Sequence, residues 1–261
     1  MAFGRLLLLD DHKPPDDQAL SYLYGHFSPS RVAVMGDSAG GGLAFATCIE
    51  AYMLGLPRPA CLVALSPWTD LTISGESIHS NAGTDQLFSP YIAPFNTACL
   101  GCYRPCMEPA NRIQGEVLHH QFKNCARSYA GNEIRNPTAS PLLASLEVLR
   151  EAVPPTHVCV SDSEVLRDDG VRMQKKLQEA GVYATLERYK NEVHVFPVFN
   201  SKEGTTGGAA LSVCVKHISD CIQKKIHKVD QDDRVVDHSI FSLRGLRRHL
   251  SSVSRQSWRE T

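Results

Sequence analysis

Short apolar runs recur along the chain, and each is followed by a turn and then by a longer segment with helical spacing of its apolar positions. Four runs predict buried strands, at residues 31–35, 61–65, 156–160 and 184–189. Helices are predicted over residues 14–24, 43–54, 166–180 and 209–226. Strands that alternate with helices of this length are typical of a doubly wound, mostly parallel sheet, so the predicted fold class is α/β.

Two segments depart from this alternation. About ninety residues separate the second and third strands, from Asp70 to Pro155, without a clear strand pattern. Because this is too long for a plain connection, it predicts a helical cap insertion at about 71–135, over the carboxyl edge of the sheet. Residues 227–261 are polar and arginine-rich, which predicts a disordered basic tail after a single α/β domain at 1–226.

Composition and charge narrow the classes of function. The 261 residues are 43% hydrophobic and 21% charged, with a formal net charge of −1. This balance gives no indication of nucleic acid or of an anionic membrane as a partner. The apolar run Leu6–Leu9 is too short for a signal peptide, and no stretch reaches the length of a transmembrane helix. We therefore expect a cytoplasmic protein.

Nine cysteines are spread along the chain, an odd number that favours reduced thiols in the absence of a secretory signal. One local group could bind zinc and consists of Cys99, Cys102, Cys106, His119, His120 and Cys125. Only one Cys-x-x-Cys pair occurs in it, so we favour free cysteines packed as small apolar side chains. No metal and no organic cofactor is expected.

The strongest chemical motif is Gly36-Asp37-Ser38-Ala39-Gly40, which follows a predicted strand and opens a predicted helix. A Gly-x-Ser-x-Gly string alone is a weak signal, but the strand–turn–helix context indicates a nucleophile elbow with Ser38 as the nucleophile. The alternatives are a helix-capping serine and a phosphate loop, although neither phosphate-loop motif is satisfied.

A nucleophilic serine needs a base and an orienting carboxylate, in the chain order Ser, Asp/Glu, His for this fold. His194 directly follows the last predicted strand and is the candidate base; the alternative is an ordinary loop histidine. The loop after the third strand offers Asp162 and Glu164 as acids. Asp168 and Asp169 fall in the first turn of the next helix, where a structural role is expected.

Several motifs resemble the hormone-sensitive-lipase-like group of α/β hydrolases, which includes carboxylesterases and arylacetamide-deacetylase-like enzymes. The matching segments are GDSAGGGLA at 36–44, LSPWTDLT at 65–72, SPLL at 140–143, SEVLRDDG at 163–170 and the loop of His194. The resemblance extends from about residue 12 to 226 and implies an α/β-hydrolase fold. It also implies Glu164 as the triad acid, with Asp162 as the alternative. Hormone receptors of this family have lost the catalytic histidine, so His194 favours an enzyme ancestry.

The sequence departs from the family before the elbow. The family's His-Gly-Gly-Gly motif supplies two backbone amides of the oxyanion hole, whereas the 37 residues before Ser38 contain no adjacent glycines. The amide of Ala39 is the remaining obvious donor, and loss of one donor typically lowers the rate about 10²–10³-fold. A family strand that pairs with the nucleophile strand is also missing. We expect a truncated isoform, an incomplete gene model or a chain completed by a partner, with a sheet edge open to self-association.

Two functions follow from these observations. The first is a serine ester hydrolase of lipid metabolism, which acts on small-molecule apolar acyl or aryl esters through Ser38, His194 and Glu164. The second is a catalytically inactive hydrolase fold that binds a ligand or a partner.

Overall fold

A single parallel sheet forms the centre of the molecule. The computed structural model describes residues 28–85, 88, 112–224 and 233–236. Five strands in these residues are ordered β1-β2-β3-β4-β5, and every pair is parallel. They are β1 (Ala33–Asp37), β2 (Cys61–Leu65), β3 (Thr156–Ser161), β4 (Ala184–Tyr189) and β5 (Asp233–Val236). The prediction of an α/β fold with a parallel sheet is confirmed.

The strand bounds differ from the predicted ones in two places. β1 begins two residues later than predicted, because Pro29–Arg31 form a 3-10 turn before it. β5 lies within the stretch that is predicted to be a disordered tail, and it pairs with β4 in the register Leu186↔Asp233. Four residues with two charges give too short a pattern to indicate a strand. The rest of the tail, and the helix predicted over 14–24, lie outside the described residues.

Helices cover both faces of the sheet. They are α1 (Ala39–Met53), α2 (Ser77–Ser80), α3 (Arg112–Ala130), α4 (Leu146–Ala152), α5 (Arg167–Glu179), α6 (Phe196–Phe199) and α7 (Thr206–Ile222). Under α1, α4 and α5 lies one core, which includes Phe45, Leu149 and Met173. A second core lies under α7, where Val63, Cys159 and Cys214 meet. Among the helices of the described segments, none is long and apolar enough to cross a membrane.

Helix α1 begins earlier than the sequence predicts. Glycines 40–42 are expected to continue the turn, yet the helix starts at Ala39. A Cβ atom on Gly42 would lie 2.0 Å from the carbonyl oxygen of Trp68, and one on Gly41 would lie 2.8 Å from Pro67. These glycines therefore permit close packing of the helix on the loop after β2, rather than a turn.

The segment predicted as a cap contributes two helices, α2 and α3. They share a separate apolar core with the loops after β2 and β3, and Phe122 of α3 packs edge-on against Trp68 with ring centroids 5.3 Å apart. At Gly115 a Cβ atom would meet the backbone of His79 at 2.9 Å, so α3 rests directly on α2. This core fixes the loops that carry the candidate site.

Candidate active site

Ser38 occupies a sharp turn between β1 and α1. Its backbone has φ 53° and ψ −123°, a conformation that L-residues rarely adopt and that costs of order 1–3 kcal/mol. The turn is held on both sides: the N–H of Ser38 donates to the carbonyl of Leu65 at 2.9 Å, and its carbonyl accepts from the N–H of Trp68 at 2.8 Å. The loop after β2 thus fixes the strained residue at the carboxyl end of the sheet.

The two motif glycines have different roles in this turn. A Cβ atom on Gly36 would lie 2.1 Å from the carbonyl oxygen of Gly40, which no small adjustment relieves. A Cβ atom on Gly40 would meet nothing within 4 Å. Gly36 is therefore required by the close approach of strand and helix, whereas Gly40 contributes its carbonyl to that contact.

His194 lies beside Ser38 in the turn after β4 and is 1% exposed. Its Nε2 is 2.9 Å from Ser38 Oγ. The next residue, Val195, has a left-handed backbone with φ 56°, and its N–H donates to the side chain of Ser66 at 3.0 Å. The ring of Phe88 packs against the imidazole with centroids 4.8 Å apart. These contacts hold the ring in one orientation.

Glu164 is fully buried on the other side of the imidazole. Its Oε2 lies 2.6 Å from Nδ1 of His194, and its Oε1 accepts from the N–H of Ser161 at 3.0 Å. A carboxylate accepts only, so Nδ1 carries the proton and Nε2 presents a lone pair to the hydroxyl of Ser38. The structure therefore brings Ser38, His194 and Glu164 into one hydrogen-bonded chain.

Asp162, the alternative acid, has a different partner. Its Oδ1 accepts from the guanidinium of Arg188 at 2.7 Å, and the carboxylate is partly exposed. The sequence could not separate Asp162 from Glu164, because two residues of one loop differ only in how the backbone turns after β3.

The other two acids of that segment lie in the first turn of α5, as predicted. Asp169 Oδ2 accepts from the N–H groups of Thr69 and Asp70, each at 2.8 Å, and Asp168 accepts from the N–H of Ser77 at 2.9 Å. Burial raises the pKa of Asp169 to about 8, and the charge of Asp70 adds to that shift. Asp169 thus fastens α5 to the loop after β2, and Asp168 fastens it to the start of α2.

Two polar residues near the site were not anticipated from the sequence. Asn81 donates from its amide to the carbonyl oxygens of Asp162 and Glu164, each at 2.8 Å. Asp85 accepts from the N–H of Val165 at 2.8 Å, and burial raises the pKa of its carboxyl group. Both come from the long segment without a strand pattern, which gave no signal that they support the loop of Glu164.

A shallow cleft opens next to the elbow. It begins at Ala39 and Gly42 and is otherwise lined mainly by apolar and aromatic side chains, among them Leu43, Ala46, Trp68, Leu71 and Tyr129. Since Ala39 is the first residue of α1, its N–H has no acceptor inside the helix, and the residue itself lines this cleft. The arrangement combines a polar reacting group with an apolar surface beside it.

The group of possible zinc ligands identified in the sequence falls largely outside the described residues, namely Cys99, Cys102 and Cys106. Of its remaining members, His119 lies on α3 with its ring 5.0 Å from that of His79. Cys125 is half-buried on the same helix.

Fold and site together define the class of protein: a parallel α/β sheet with a serine in a strained strand–helix turn and a buried histidine beside it is a hydrolase fold. A family model described as alpha/beta hydrolase fold matches residues 17–198, well over half of the chain. The chain belongs to this family.

Curated relatives are named as hydrolases and esterases. The chain is 32% identical to an acetyl-hydrolase of Streptomyces hygroscopicus over 168 residues, 64% of this chain and 46% of that protein. It is 28% identical to the carboxylesterase/phospholipase LipF of Mycobacterium tuberculosis over 170 residues, 65% and 38% of the two chains. A stretch of 69 residues is 41% identical to neutral cholesterol ester hydrolase 1 of Mus musculus, 26% and 17% of the two chains.

Solved structures agree with these relatives. The structure is similar to EstE7, a hormone-sensitive-lipase homologue from a metagenome library, with a TM-score of 0.58 and 28% identity, covering 79% of this chain and 59% of that one. The resemblance to the hormone-sensitive-lipase group is confirmed, and by ancestry the chain is a carboxylic ester hydrolase. It spans about half or less of the length of the curated relatives it matches.

Proposed function

We propose that this chain is a serine ester hydrolase in which Ser38 is the nucleophile, His194 the base and Glu164 the orienting acid. The observation that carries the proposal is the unbroken chain of contacts from Glu164 to His194 at 2.6 Å and from His194 to Ser38 at 2.9 Å. Both distances are within hydrogen-bond reach, which a nucleophile and its base require.

The reaction is acyl transfer in two steps. Ser38 Oγ attacks the ester carbonyl carbon while its proton passes to Nε2 of His194, and the carbonyl oxygen becomes an oxyanion. Collapse breaks the bond to the alcohol, which leaves with the proton from His194. Water then attacks the acyl-serine by the same route and releases the acid. Glu164 keeps Nδ1 protonated and stabilises the imidazolium.

The backbone N–H of Ala39 is the oxyanion donor that this proposal uses. It lies at the N-terminus of α1, where the helix dipole favours negative charge. Because one donor gives less stabilisation than a complete oxyanion hole, we expect acyl-serine formation to be slow relative to related esterases.

The cleft beside Ala39 supports an apolar acyl or aryl ester as substrate. Its lining includes Leu43 of α1 and Tyr129 of α3, both about half exposed, and Trp68 of the loop after β2. Apolar walls next to a few polar groups are typical of small-molecule sites. The relatives are named as an acetyl-hydrolase, a carboxylesterase/phospholipase and a neutral cholesterol ester hydrolase, and the last two names refer to ester substrates.

Labelling with an alkyl fluorophosphonate tests this proposal, because the probe reacts with an activated serine without requiring turnover. We expect the full chain to be labelled and Ser38→Ala to be unlabelled. Ser212→Ala is the matched control, since Ser212 lies on the exposed face of α7 and its hydroxyl donates only to the helix carbonyl of Gly208. Hydrolysis of p-nitrophenyl butyrate by the same variants then measures turnover.

A folded protein that resists the probe would contradict the proposal and favour the second candidate, a hydrolase fold that binds an ester without cleaving it. Among the described residues, the amide of Ala39 is the single oxyanion donor that the proposal uses, which favours that candidate. Equilibrium binding of a non-hydrolysable ketone analogue of the ester separates it from a protein without any site: a ligand-binding fold binds the analogue, and Leu43→Lys weakens the binding.

A further inference from the structure

A second group of reactive side chains lies at the opposite end of the sheet from Ser38. Cys61 is the first residue of β2, whereas Ser38 follows the last residue of β1, and parallel strands place these at opposite edges. His217 and Cys221 face Cys61 from the end of α7. Residues four apart on a helix lie on one face, so the two point the same way.

We propose that Cys61, His217 and Cys221 bind one zinc ion. Their donor atoms all lie within 4.8 Å of one another, and Nε2 of His217 is 3.6 Å from Sγ of Cys221. Zinc bonds of about 2.3 Å to sulfur and about 2.0–2.1 Å to nitrogen, at a tetrahedral angle, place two such ligand atoms about 3.5–3.6 Å apart. His217 and Cys221 therefore already stand at ligand spacing, and Cys61 lies close enough to complete the group after a small shift.

The chemistry of the donors favours zinc over harder cations. Two sulfurs and one imidazole nitrogen are ligands of Zn²⁺, whereas Mg²⁺ and Ca²⁺ prefer oxygen. A neutral imidazole supplies the lone pair that a bond to zinc requires. In the metal-free protein Nε2 donates to the carbonyl of Pro155 at 3.3 Å, a long bond that metal binding replaces by moving that proton to Nδ1.

Burial decreases from Cys61 to Cys221, so a metal ion could reach the group from the side of Cys221. Cys61 is fully buried and His217 is 8% exposed, while Cys221 is half-buried at the surface of the last turn of α7. With three protein ligands, the fourth coordination position of a tetrahedral zinc ion is left for water. His157 lies next to the group, with its ring centroid 5.8 Å from that of His217. In the described residues, Nε2 of His157 is the single buried side-chain nitrogen or oxygen without a hydrogen-bond partner.

Cobalt substitution tests the site without reference to esterase activity. The reduced full chain is titrated with Co²⁺, and sulfur-to-cobalt charge transfer is followed by absorbance. We expect one equivalent to bind with a thiolate signature and Zn²⁺ to displace it. Cys221→Ser and His217→Asn should each weaken binding by more than the roughly 10–100-fold that outer-shell changes cause. Cys61→Ser should weaken Co²⁺ binding to a similar extent. If this buried substitution prevents folding, Cys221→Ser provides the test.

Controls distinguish this site from other thiols. Cys214→Ser removes a buried thiol on the same helix, outside the group, and should leave the titration unchanged. Loss of the signal in a Cys99→Ser/Cys102→Ser double variant, with full binding in Cys221→Ser, would overturn the proposal by moving the ion to the Cys-x-x-Cys pair. A Cys61–Cys221 disulfide in the protein purified without reductant, with no Co²⁺ binding after reduction, would also overturn it.

Discussion

At the scale of single residues, the site depends on which of two neighbouring carboxylates reaches the imidazole. Glu164 is buried against His194, while Asp162 is paired with Arg188 near the surface. The sequence indicated Ser38 and His194 by context and chain order. The sequence pattern alone does not distinguish the two acids. The backbone turn after β3, in which the N–H of Ser161 donates to Glu164, determines which carboxylate contacts His194. Only the family resemblance pointed to Glu164.

Replacement of each acid by its amide tests which of the two carboxylates, Glu164 or Asp162, acts as the orienting acid. We expect Glu164→Gln to lower kcat for p-nitrophenyl butyrate by about 10²–10⁴-fold, since the amide no longer fixes the Nδ1–H tautomer or stabilises the imidazolium. Asp162→Asn should stay within about threefold of the wild type, because a partly exposed ion pair contributes about 0–1 kcal/mol. The reverse order of activities would transfer the role of acid to Asp162.

The two motif glycines give a second matched pair. Gly36→Ala places a methyl group 2.1 Å from the carbonyl oxygen of Gly40, and we expect a loss of about 3 kcal/mol or more in the free energy of unfolding, together with loss of probe labelling. Gly40→Ala meets no atom within 4 Å and should be neutral or stabilise α1 by about 0.5–1 kcal/mol. Urea denaturation measures both values; equal losses would contradict the packing argument.

At the scale of elements, the strands were predictable and some helix starts were not. β2 is a continuous apolar run and β3 contains one at 158–160, as burial on both faces of a parallel sheet favours. β4 mixes apolar residues with Glu187 and Arg188, so its pattern is weaker. α1 was predicted to begin late because glycine disfavours helices, yet here close packing on Trp68 outweighs that preference. α7 begins at Thr206 because Thr205 caps it through the N–H of Gly208.

Asp169, which joins α5 to the loop after β2, should make the free energy of unfolding depend on pH. Asp169 has a pKa of about 8 when folded, raised mainly by burial, and an ordinary value near 4 when unfolded. Between these values the folded state holds a proton that the unfolded state lacks. Stability is therefore lost as the pH rises, by up to about 1.4 kcal/mol per pH unit between pH 6.5 and 8.

The variant Asp169→Asn isolates this effect, because the amide oxygen still accepts from Thr69 and Asp70 but does not titrate. We expect the free energy of unfolding of the variant, measured in urea from pH 6.5 to 8, to fall less steeply than that of the wild type. Parallel curves for the two proteins would show that Asp169 is already ionised at pH 6.5.

At the scale of the whole molecule, the sheet has an exposed margin at β1. Within the described residues β1 pairs with β2 on one side, and Val32 and Met35 are 41% and 46% exposed, whereas β2 is buried throughout. An apolar edge strand is a surface on which another chain can pair. We propose that two copies of this chain associate along β1.

Sedimentation velocity over a concentration series measures this association. Met35→Lys should weaken it at least tenfold, because a charged side chain on an edge opposes pairing. Met53→Lys, at the exposed end of α1, is the control and should associate like the wild type. A wild-type protein that remains monomeric throughout the series would contradict the proposed edge contact.

The separation of Ser38, Glu164 and His194 along the chain affects how the protein folds. Ser38 and His194 are 156 positions apart, and the acid comes from a third loop between them. Contacts of such long range form slowly, since the loops that they close carry a large entropic cost. Under the proposed mechanism, Ser38 is therefore activated only after β1, β3 and β4 have assembled. A chain still emerging from the ribosome would then carry an unreactive serine until the turn after β4 has been made.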